Sequence, residues 1–107
     1  MPSRVGLGEF ELLVLAAVLR LGGDAYGSAI ARELERVGRS VSIGAVYTTL
    51  ARLEDKKLLR SRAGEPTPVR GGRARRYYRV EARGEAELSA SMGRFASLLD
   101  GTSLSFT

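Results

Sequence analysis

The chain has 107 residues, 44% of them apolar, and a formal net charge of +5. This length and composition predict a single folded domain with its own core and exclude wholesale disorder. The sequence has no cysteine and no histidine, which excludes disulfides and removes the commonest metal ligand and general base. Since the remaining polar residues form no catalytic constellation, we expect neither an enzyme nor a metal or other cofactor.

The longest apolar run, Leu12 to Leu19, is eight residues long. That is far short of the roughly 20 residues that a helix needs to span a bilayer. The N-terminus has one early arginine and no small-residue cleavage pattern after an apolar stretch, so no secretory signal is indicated. We therefore expect a cytoplasmic protein that does not associate with a membrane.

The first predicted helix runs from Gly8 to Leu21, because no breaker interrupts it and Gly22-Gly23 ends it. One face carries Phe10, Leu13, Val14, Ala17, Val18 and Leu21, and the opposite face carries Leu12, Leu15, Ala16 and Leu19. A helix that is apolar on both faces must be covered on both. The core of a small domain covers one face, and we expect the C-terminal helix or a second copy of the chain to cover the other.

Two more helices follow at short intervals. The second spans residues 28–37 and ends at Gly38, which is typical of a helix C-terminus. The third spans residues 43–56 and begins after Ser42, a favourable N-cap. Its predicted buried stripe consists of Ile43, Val46, Tyr47, Leu50 and Leu53.

The opposite face of the third helix has short side chains at its front and cations toward its end. Its members are Ala45, Thr48, Thr49, Arg52 and Lys56. The solvent face of an ordinary helix of this length would carry pairs of Glu and Lys. Short and cationic side chains instead favour close approach to base edges and to a nucleic acid backbone. An indifferent polar face is the alternative.

Residues 58–63 and 75–80 alternate with a period of two, which predicts a pair of strands. One face of the second strand carries Tyr78 and Val80, so Tyr78 is assigned to the core. The other face carries Arg75, Tyr77 and Arg79. The intervening residues 64–72 exceed the usual two to five residues of a hairpin loop, so we expect a mobile tip.

Positive charge is concentrated in one third of the chain. Residues 52–83 hold 11 Lys and Arg against four acids, whereas residues 1–51 hold five of each sign. The segment 70–79 alone contains five arginines and two tyrosines. Such a confined cationic strip favours binding to a phosphate backbone. A solvated arginine-rich hairpin without a partner is the alternative.

The last predicted helix spans residues 82–99 and is followed by a tail that we expect to fray. It has a heptad-like apolar seam that would be marginal alone but that can form a dimer against the free face of the first helix. The predicted dimer contacts are Leu12, Leu15 and Leu19 in the first helix and Leu88, Met92, Phe95 and Leu99 in the last.

The order of elements predicts a mainly α fold with a small antiparallel β-hairpin. Three helices followed by a β-pair are typical of a winged helix-turn-helix, with the third helix in the recognition position and the hairpin as the wing. We assign residues 1–81 to this DNA-binding domain. Residues 82–107 form the C-terminal dimerisation helix and tail.

Four segments stand in a distinctive order: GEFELLVL at 8–15, AYGSAI at 25–30, GAVYTTLARLE at 44–54 and GRARRYYRV at 72–80. Together with Gly84 and Leu88, they resemble the PadR family of bacterial transcriptional regulators, especially its short members. The resemblance covers residues 8–90. Thr48 stands where the family usually has proline, and Glu81 where it usually has threonine, so base preference can differ while the fold is unaffected.

The resemblance implies a homodimer, built through the first and last helices, that binds an inverted-repeat operator in double-stranded DNA. It also implies that DNA is released when a small-molecule effector at the dimer interface, or another signal, shifts the dimer. The chain has no tryptophan to stack a flat ligand there. The operator, the regulated gene and the effector are not given by the sequence.

We therefore predict a sequence-specific DNA-binding regulator that acts as a repressor. Ala45, Thr48 and Arg52 are expected to face the major groove beside Thr49, with Arg52 as the reader of a guanine edge. Tyr47 also fits the core by its spacing. The predicted phosphate contacts are Ser42 and Tyr47 in the third helix and Arg70, Arg73, Arg75, Arg76 and Arg79 in the wing.

A winged-helix protein-interaction module that binds an acidic partner is the alternative function. It predicts weak, sequence-indifferent DNA binding, and partner binding that survives when Thr48 and Arg52 become alanine. A small enzyme that uses tyrosines and carboxylates is a third possibility, but no constellation of residues supports it.

Overall fold

Four helices and one antiparallel hairpin make up the described part of the chain. The computed structural model describes residues 7–64 and 75–105. The helices are α1 (Glu9–Leu21), α2 (Gly27–Arg36), α3 (Ile43–Asp55) and α4 (Ala82–Leu99), and the strands are β1 (Leu59–Ala63) and β2 (Arg76–Val80). Each bound lies within one residue of its prediction, so the predicted fold class is confirmed.

Local sequence signals set the helix ends that position the third helix. The Ser42 hydroxyl accepts a hydrogen bond of 3.1 Å from the backbone N–H of Ala45, as expected of an N-cap. Helix α1 ends at Leu21 and is capped by Gly22, whose φ of 58° is readily adopted by glycine. A single turn of 3₁₀ helix (Gly22–Asp24) then leads to α2.

One hydrophobic core joins all four helices and the hairpin. Its buried members are Val14, Leu15, Ala17, Val18, Ala25, Ile30, Leu34, Val46, Leu50, Leu53, Leu58, Leu59, Tyr78 and Leu88. The expected placement of Tyr78 in the core is confirmed, since its side chain is only 7% exposed. Burial of this apolar surface is the main force that fixes α3 and the hairpin relative to each other.

The hairpin is tied to the segment that precedes α2. In the β1–β2 pair, Leu59 lies opposite Val80 and Ser61 lies opposite Tyr78. The Tyr78 N–H also donates a hydrogen bond of 2.8 Å to the Ala25 carbonyl, and an isolated antiparallel bridge pairs Tyr26 with Tyr77. The predicted tip, residues 64–72, lies outside the described residues except for Gly64.

Helix α1 is covered by its own chain more completely than the sequence predicted. Val14, Leu15 and Val18 are at most 1% exposed, so the core reaches both predicted faces. The assignment of Leu15 to a dimer contact is therefore wrong, because its side chain has no surface left for a second copy. On the remaining face, Leu12 is half-buried and Leu19 is 46% exposed.

The two halves of α4 have different surroundings. The first half joins the core at Gly84, where a Cβ would overlap the Leu58 carbonyl oxygen. Leu88 is also buried in this core, so its assignment to a dimer contact is wrong for the same reason as that of Leu15. The second half is exposed, with Phe95 at 53% and Leu98 at 81%.

Candidate nucleic-acid interface

The outward face of α3 is formed by side chains that the core leaves uncovered. Thr48 and Arg52 are exposed and Ala45 is half-buried, whereas Val46 and Leu50 on the inner face are fully buried. The exposed residues are four apart, so they lie on one side of the helix about one turn from each other. This part of the predicted reading face is present on the surface.

Two predictions about α3 are wrong. Thr49 is only 3% exposed, because it lies three residues after Val46 and four before Leu53, on the side of the helix that the core covers. It therefore has no surface for a base contact. Conversely, Ile43 and Tyr47 were placed in the buried stripe but are 45% and 47% exposed.

Tyr47 lies across the start of α2. A Cβ built on Gly27 would overlap the phenol ring of Tyr47 and come within 2.8 Å of its Cε1 atom. Glycine at this position therefore lets the ring lie directly against the α2 backbone. The half-exposed ring joins α3 to the first turn of α2, on the same helix as the outward-facing Thr48 and Arg52.

The two faces of the hairpin have different roles. The inner face carries Leu59 and Tyr78, which are buried in the core. Side chains alternate between the two faces along each strand, so the strand neighbours of these inward-facing residues lie on the outer face. These outer-face residues are Arg60, Arg62, Arg75, Tyr77 and Arg79, of which the four arginines are exposed.

A chain of hydrogen bonds connects the hairpin to α3. The Ser61 hydroxyl donates to Oε2 of Glu54 at 2.7 Å, and Nη1 of Arg76 donates to the Ser61 hydroxyl oxygen at 2.9 Å. Burial and the negative charge of Glu54 raise the pKa of the neighbouring Tyr78 phenol. Arg76, at the loop end of β2, is thus held from the C-terminal half of α3.

A row of tyrosines and arginines crosses the outer face. The rings of Tyr26 and Tyr77 meet edge to face with their centroids 5.6 Å apart. The guanidinium of Arg62 lies 4.9 Å from the Tyr77 centroid, and that of Arg75 lies 4.1 Å from the Tyr26 centroid. A hydrogen bond with Tyr77 is the largest of the effects that raise the pKa of Arg75. These contacts restrain exposed arginines toward the loop end of the wing.

Within the described part of the chain, most cations of the candidate interface have no acidic partner. In residues 7–64 and 75–105 the ion pairs are Arg20–Glu33, Arg36–Glu33, Arg39–Glu9, Lys56–Glu11 and Arg60–Glu81. Arg52, Arg75, Arg76 and Arg79 form none of these pairs, and each is exposed. Their charge is therefore available to an anionic ligand. The predicted phosphate contacts Arg70 and Arg73 lie outside the described residues.

One ion pair joins the end of α3 to the start of α1. Nζ of Lys56 lies 3.0 Å from Oε2 of Glu11, and the Gly8 N–H donates to the same carboxylate at 3.1 Å. Burial alone would raise the pKa of Glu11, but the Lys56 and Gly8 hydrogen bonds and the nearby positive charges hold it below its usual value of 4.5.

Sequence reasoning missed three features of this surface. The contact between Tyr47 and Gly27 joins two helices, and only the glycine at the start of α2 hinted at a close approach. The edge-to-face contact of Tyr26 with Tyr77 depends on a strand pairing that has no local signal. Leu98 lies off the heptad seam but is the most exposed of the large apolar side chains in the described residues. Its hydrophobic side chain was the only sequence feature that could have indicated a place in the interface.

The architecture defines the class of protein. Helices α1 to α3 form a three-helix core, α3 presents an open face, and a two-stranded wing follows it. This is a winged helix-turn-helix. In the described residues no helix is both long and apolar enough to cross a membrane. No group of three His, Cys, Asp or Glu in the same residues could hold a metal ion.

Comparison with known proteins identifies the family. The transcriptional regulator PadR-like family matches residues 14–90, which is most of the chain. The chain therefore belongs to the PadR-like family of transcriptional regulators, as the resemblance of its segments indicated. Transcriptional regulator Rv3488 of Mycobacterium tuberculosis is 42% identical over 66 residues, which cover 62% of this chain and 58% of that protein. The chain thus spans less than two thirds of the length of this relative.

Solved structures support the same assignment. A PadR-like transcription factor from Bacteroides fragilis matches with a TM-score of 0.74 and 26% identity, over 85% of this chain and 84% of the other. Bacillus subtilis PadR, solved in complex with operator DNA, matches with a TM-score of 0.68 over 81% of this chain and 48% of the other. At 18% identity, the second likeness shows the shared fold alone.

Proposed function

We propose that this regulator binds double-stranded DNA in a sequence-specific manner, with α3 in the major groove and the wing on the backbone. The observation that carries the proposal is the combination of an open α3 face with exposed wing arginines that have no acidic partner among residues 7–64 and 75–105. Bacillus subtilis PadR, which has the same fold, was solved with its operator DNA. This supports DNA binding by the fold without specifying the contacts or the bases.

Residues on α3 divide into base-reading and backbone-binding groups. Arg52 is exposed and forms no ion pair in the described residues, so its guanidinium is free to donate two hydrogen bonds to a guanine edge. Thr48 and Ala45 are short enough to let α3 lie deep in the groove. Ser42 and Tyr47, at the front of the helix, are positioned to bind phosphates.

The wing supplies the electrostatic part of binding. Arg75 and Arg76 lie at the loop end of the wing, where Tyr26 and Ser61 restrain them, and Arg79 lies nearer the base of the wing on β2. Arg70 and Arg73, from the segment outside the described residues, are proposed to add contacts near the tip. If about four or five phosphates are neutralised per subunit, a dimer should show a log–log salt slope of roughly −7 to −9.

We propose that two copies associate through α4 and the exposed part of α1. The second half of α4 presents a contiguous run of large apolar side chains to solvent, which is unusual unless a partner covers it. The proposed contacts are Leu12 and Leu19 on α1 and Met92, Phe95, Leu98 and Leu99 on α4. Residues 82–107 thereby act as the dimerisation segment, although the start of α4 packs on the domain formed by residues 1–81.

A symmetric dimer would place its two α3 helices on successive turns of an inverted repeat. Repression is then the simplest outcome, since a dimer on a promoter excludes polymerase, and an effector at the dimer interface would release it by changing the spacing of the α3 helices. A DNA-binding function places the protein in the cytoplasm. The proposed function requires no metal or other cofactor and no chemical reaction.

Selection of bound duplexes from random DNA tests this function directly. We expect an inverted repeat with half-sites about one helical turn apart, and we expect Arg52→Ala to lose the preference. Arg20→Ala on α1 removes the same charge and serves as the control. An acidic protein partner whose binding survives Thr48→Ala and Arg52→Ala, together with sequence-indifferent DNA binding, would favour the protein-interaction module instead.

A further inference from the structure

A cavity of about 210 Å³ lies between the hairpin and the turn that ends α1. The hairpin contributes Arg60, Ser61, Arg62, Tyr77, Tyr78 and Arg79 to its lining, and the turn contributes Gly22 and Gly23. The exposed residues of α3 do not line it. It is therefore separate from the proposed base-reading surface.

The arginines of this cavity are arranged in a way that folding alone does not favour. Arg60 and Arg79 are direct cross-strand partners, and Arg62 is the diagonal neighbour of Arg79 on the same face. Like charges directly opposite each other destabilise a strand pair. Three cations on adjacent positions thus repel one another unless an anion lies among them.

Acidic groups of the chain compensate this charge only weakly. Oε1 of Glu81 lies 3.9 Å from Nη1 of Arg60, at the outer limit of an ion pair. Arg62 stacks on Tyr77, and neither Arg62 nor Arg79 contacts a carboxylate in residues 7–64 and 75–105. Two of the three guanidinium groups therefore keep their N–H donors for a ligand.

The opposite wall suits a ligand that approaches closely. A Cβ on Gly22 or Gly23 would meet no heavy atom within 4 Å, so this wall presents backbone without side chains to the cavity. Guanidinium groups bind phosphate oxygens in pairs of parallel hydrogen bonds. The volume is below the roughly 300–1,000 Å³ of pockets for drug-sized ligands, so it fits a phosphate or diphosphate group rather than a large molecule.

We propose that this cavity binds a small phosphorylated metabolite through a phosphate or diphosphate group held by Arg60, Arg62 and Arg79. The ligand relieves the repulsion among the three arginines when it binds. The proposal goes beyond DNA recognition and does not depend on it, although Arg79 is shared with the proposed backbone contacts of the wing. A phosphate of a DNA backbone has the same chemistry, and the experiment must separate the two sources.

Calorimetric titration of the full chain with inorganic pyrophosphate, without DNA and at constant ionic strength, tests the proposal. We expect saturable binding of one pyrophosphate per chain, a dissociation constant raised about tenfold or more by Arg79→Ala, and little response to sulfate or chloride. Arg76→Ala removes the same charge from the inner face of the same strand, and we expect it to leave pyrophosphate binding unchanged.

Thermal unfolding is a second measurement, and it distinguishes a variant that has lost the ligand site from one that fails to fold. Because Arg79→Ala removes a like-charge pair, we expect this variant to melt at or above the temperature of the parent chain without ligand. We also expect it to lose the stabilisation that pyrophosphate gives the parent. A variant that simply failed to fold would melt at a lower temperature.

Three outcomes would overturn the proposal. One is pyrophosphate binding that does not saturate or that sulfate reproduces, and another is equal weakening by Arg76→Ala and Arg79→Ala. The third is a chain that does not bind pyrophosphate while Arg60→Ala and Arg62→Ala lower the salt slope of DNA binding as Arg79→Ala does, since all three arginines would then belong to the DNA surface. Arg52→Ala separates the two functions, because it should weaken operator binding and leave pyrophosphate binding intact.

Discussion

The Ser61 hydroxyl donates a hydrogen bond of 2.7 Å to Oε2 of Glu54, and this contact joins the first strand of the wing to the recognition helix. Ser61 in turn accepts from Arg76 on the second strand. The position of the wing relative to α3 is therefore fixed by a polar contact as well as by the core. DNA binding depends on that position if the helix and the wing hold one duplex together.

Ser61→Ala tests this coupling. Removal of the hydroxyl leaves Glu54 and Arg76 without their bridge, and we expect a loss of about 1–2 kcal/mol in the free energy of unfolding. Operator affinity should fall about three- to tenfold while the salt slope stays constant, because no phosphate contact is removed. Urea unfolding and fluorescence anisotropy over a salt series measure both. A lowered salt slope would instead place Ser61 at the DNA backbone.

Substitutions on α3 separate base reading from folding. We expect Arg52→Ala to cost about 1–3 kcal/mol of operator binding and to relax specificity at one base pair, with stability almost unchanged because the side chain is exposed. Thr49→Val is the matched control. Thr49 is buried and has no surface for a base contact, so we expect this substitution to leave base specificity intact. Anisotropy on operators with single base changes measures the difference. Equal discrimination by the parent chain and Arg52→Ala would contradict the role of Arg52.

The contact between Gly27 and Tyr47 predicts that Gly27→Ala changes the free energy of unfolding in opposite directions in the parent chain and in a Tyr47→Ala background. In the parent chain, Gly27→Ala forces the Tyr47 ring away and should destabilise the fold by about 1–3 kcal/mol, as overpacking does. In a Tyr47→Ala background the space is free, and the same substitution should stabilise the helix by about 0.5–1 kcal/mol. Chemical denaturation of the four chains gives the coupling between the two positions. Additive effects would show that the ring does not lie against the α2 backbone.

Charged substitutions on α4 test the dimer. Phe95→Glu and Leu98→Glu should give folded monomers with sharply weaker operator binding, because both side chains are exposed on the proposed interface. Ser97→Glu lies on the opposite face of α4 and should leave the dimer intact. Sedimentation and far-UV circular dichroism distinguish these outcomes. Leu15→Glu should unfold the chain, since it buries an unpaired charge in the core.

The Glu11 carboxylate predicts a dependence of stability on pH. Its pKa is held below the usual value of 4.5, so its charged form contributes stability that is fully present above 4.5 and is lost as the pH falls through the lowered pKa. We expect Glu11→Gln to cost about 0.5–1 kcal/mol near neutral pH and less near pH 3. Urea unfolding at both pH values measures this, with the exposed Glu35→Gln as a control. A constant difference at both values would contradict the role of the Lys56 contact.

Most of the fold was predictable because its signals are local. The Ser42 cap, the Gly22-Gly23 stop and the alternation of β2 each act within a few residues, so the element bounds followed from the pattern. The exposed Thr48 and Arg52 were found in the same way, from helical periodicity alone. Local signals were also sufficient for the family resemblance.

The sequence alone did not show which apolar faces of α1 and α4 are covered by the core. Leu15 and Leu88 lie on surfaces that look free in the isolated helices, but α1 and the first half of α4 share one core, so neither side chain is left for a partner. Thr49 was misplaced because a short polar residue is compatible with either side of a helix. The Tyr26–Tyr77 contact requires a long-range strand pairing that periodicity does not encode.

The most direct test of the central claim is anisotropy titration of the purified chain on a selected inverted-repeat duplex and on a scrambled duplex of equal length, over a series of salt concentrations. We expect two chains per duplex, a log–log salt slope of roughly −7 to −9, and an affinity for the selected duplex at least about a thousandfold higher than for the scrambled one. Equal affinity for both duplexes, with a slope near zero, would contradict the assignment of α3 and the wing as a DNA-reading surface.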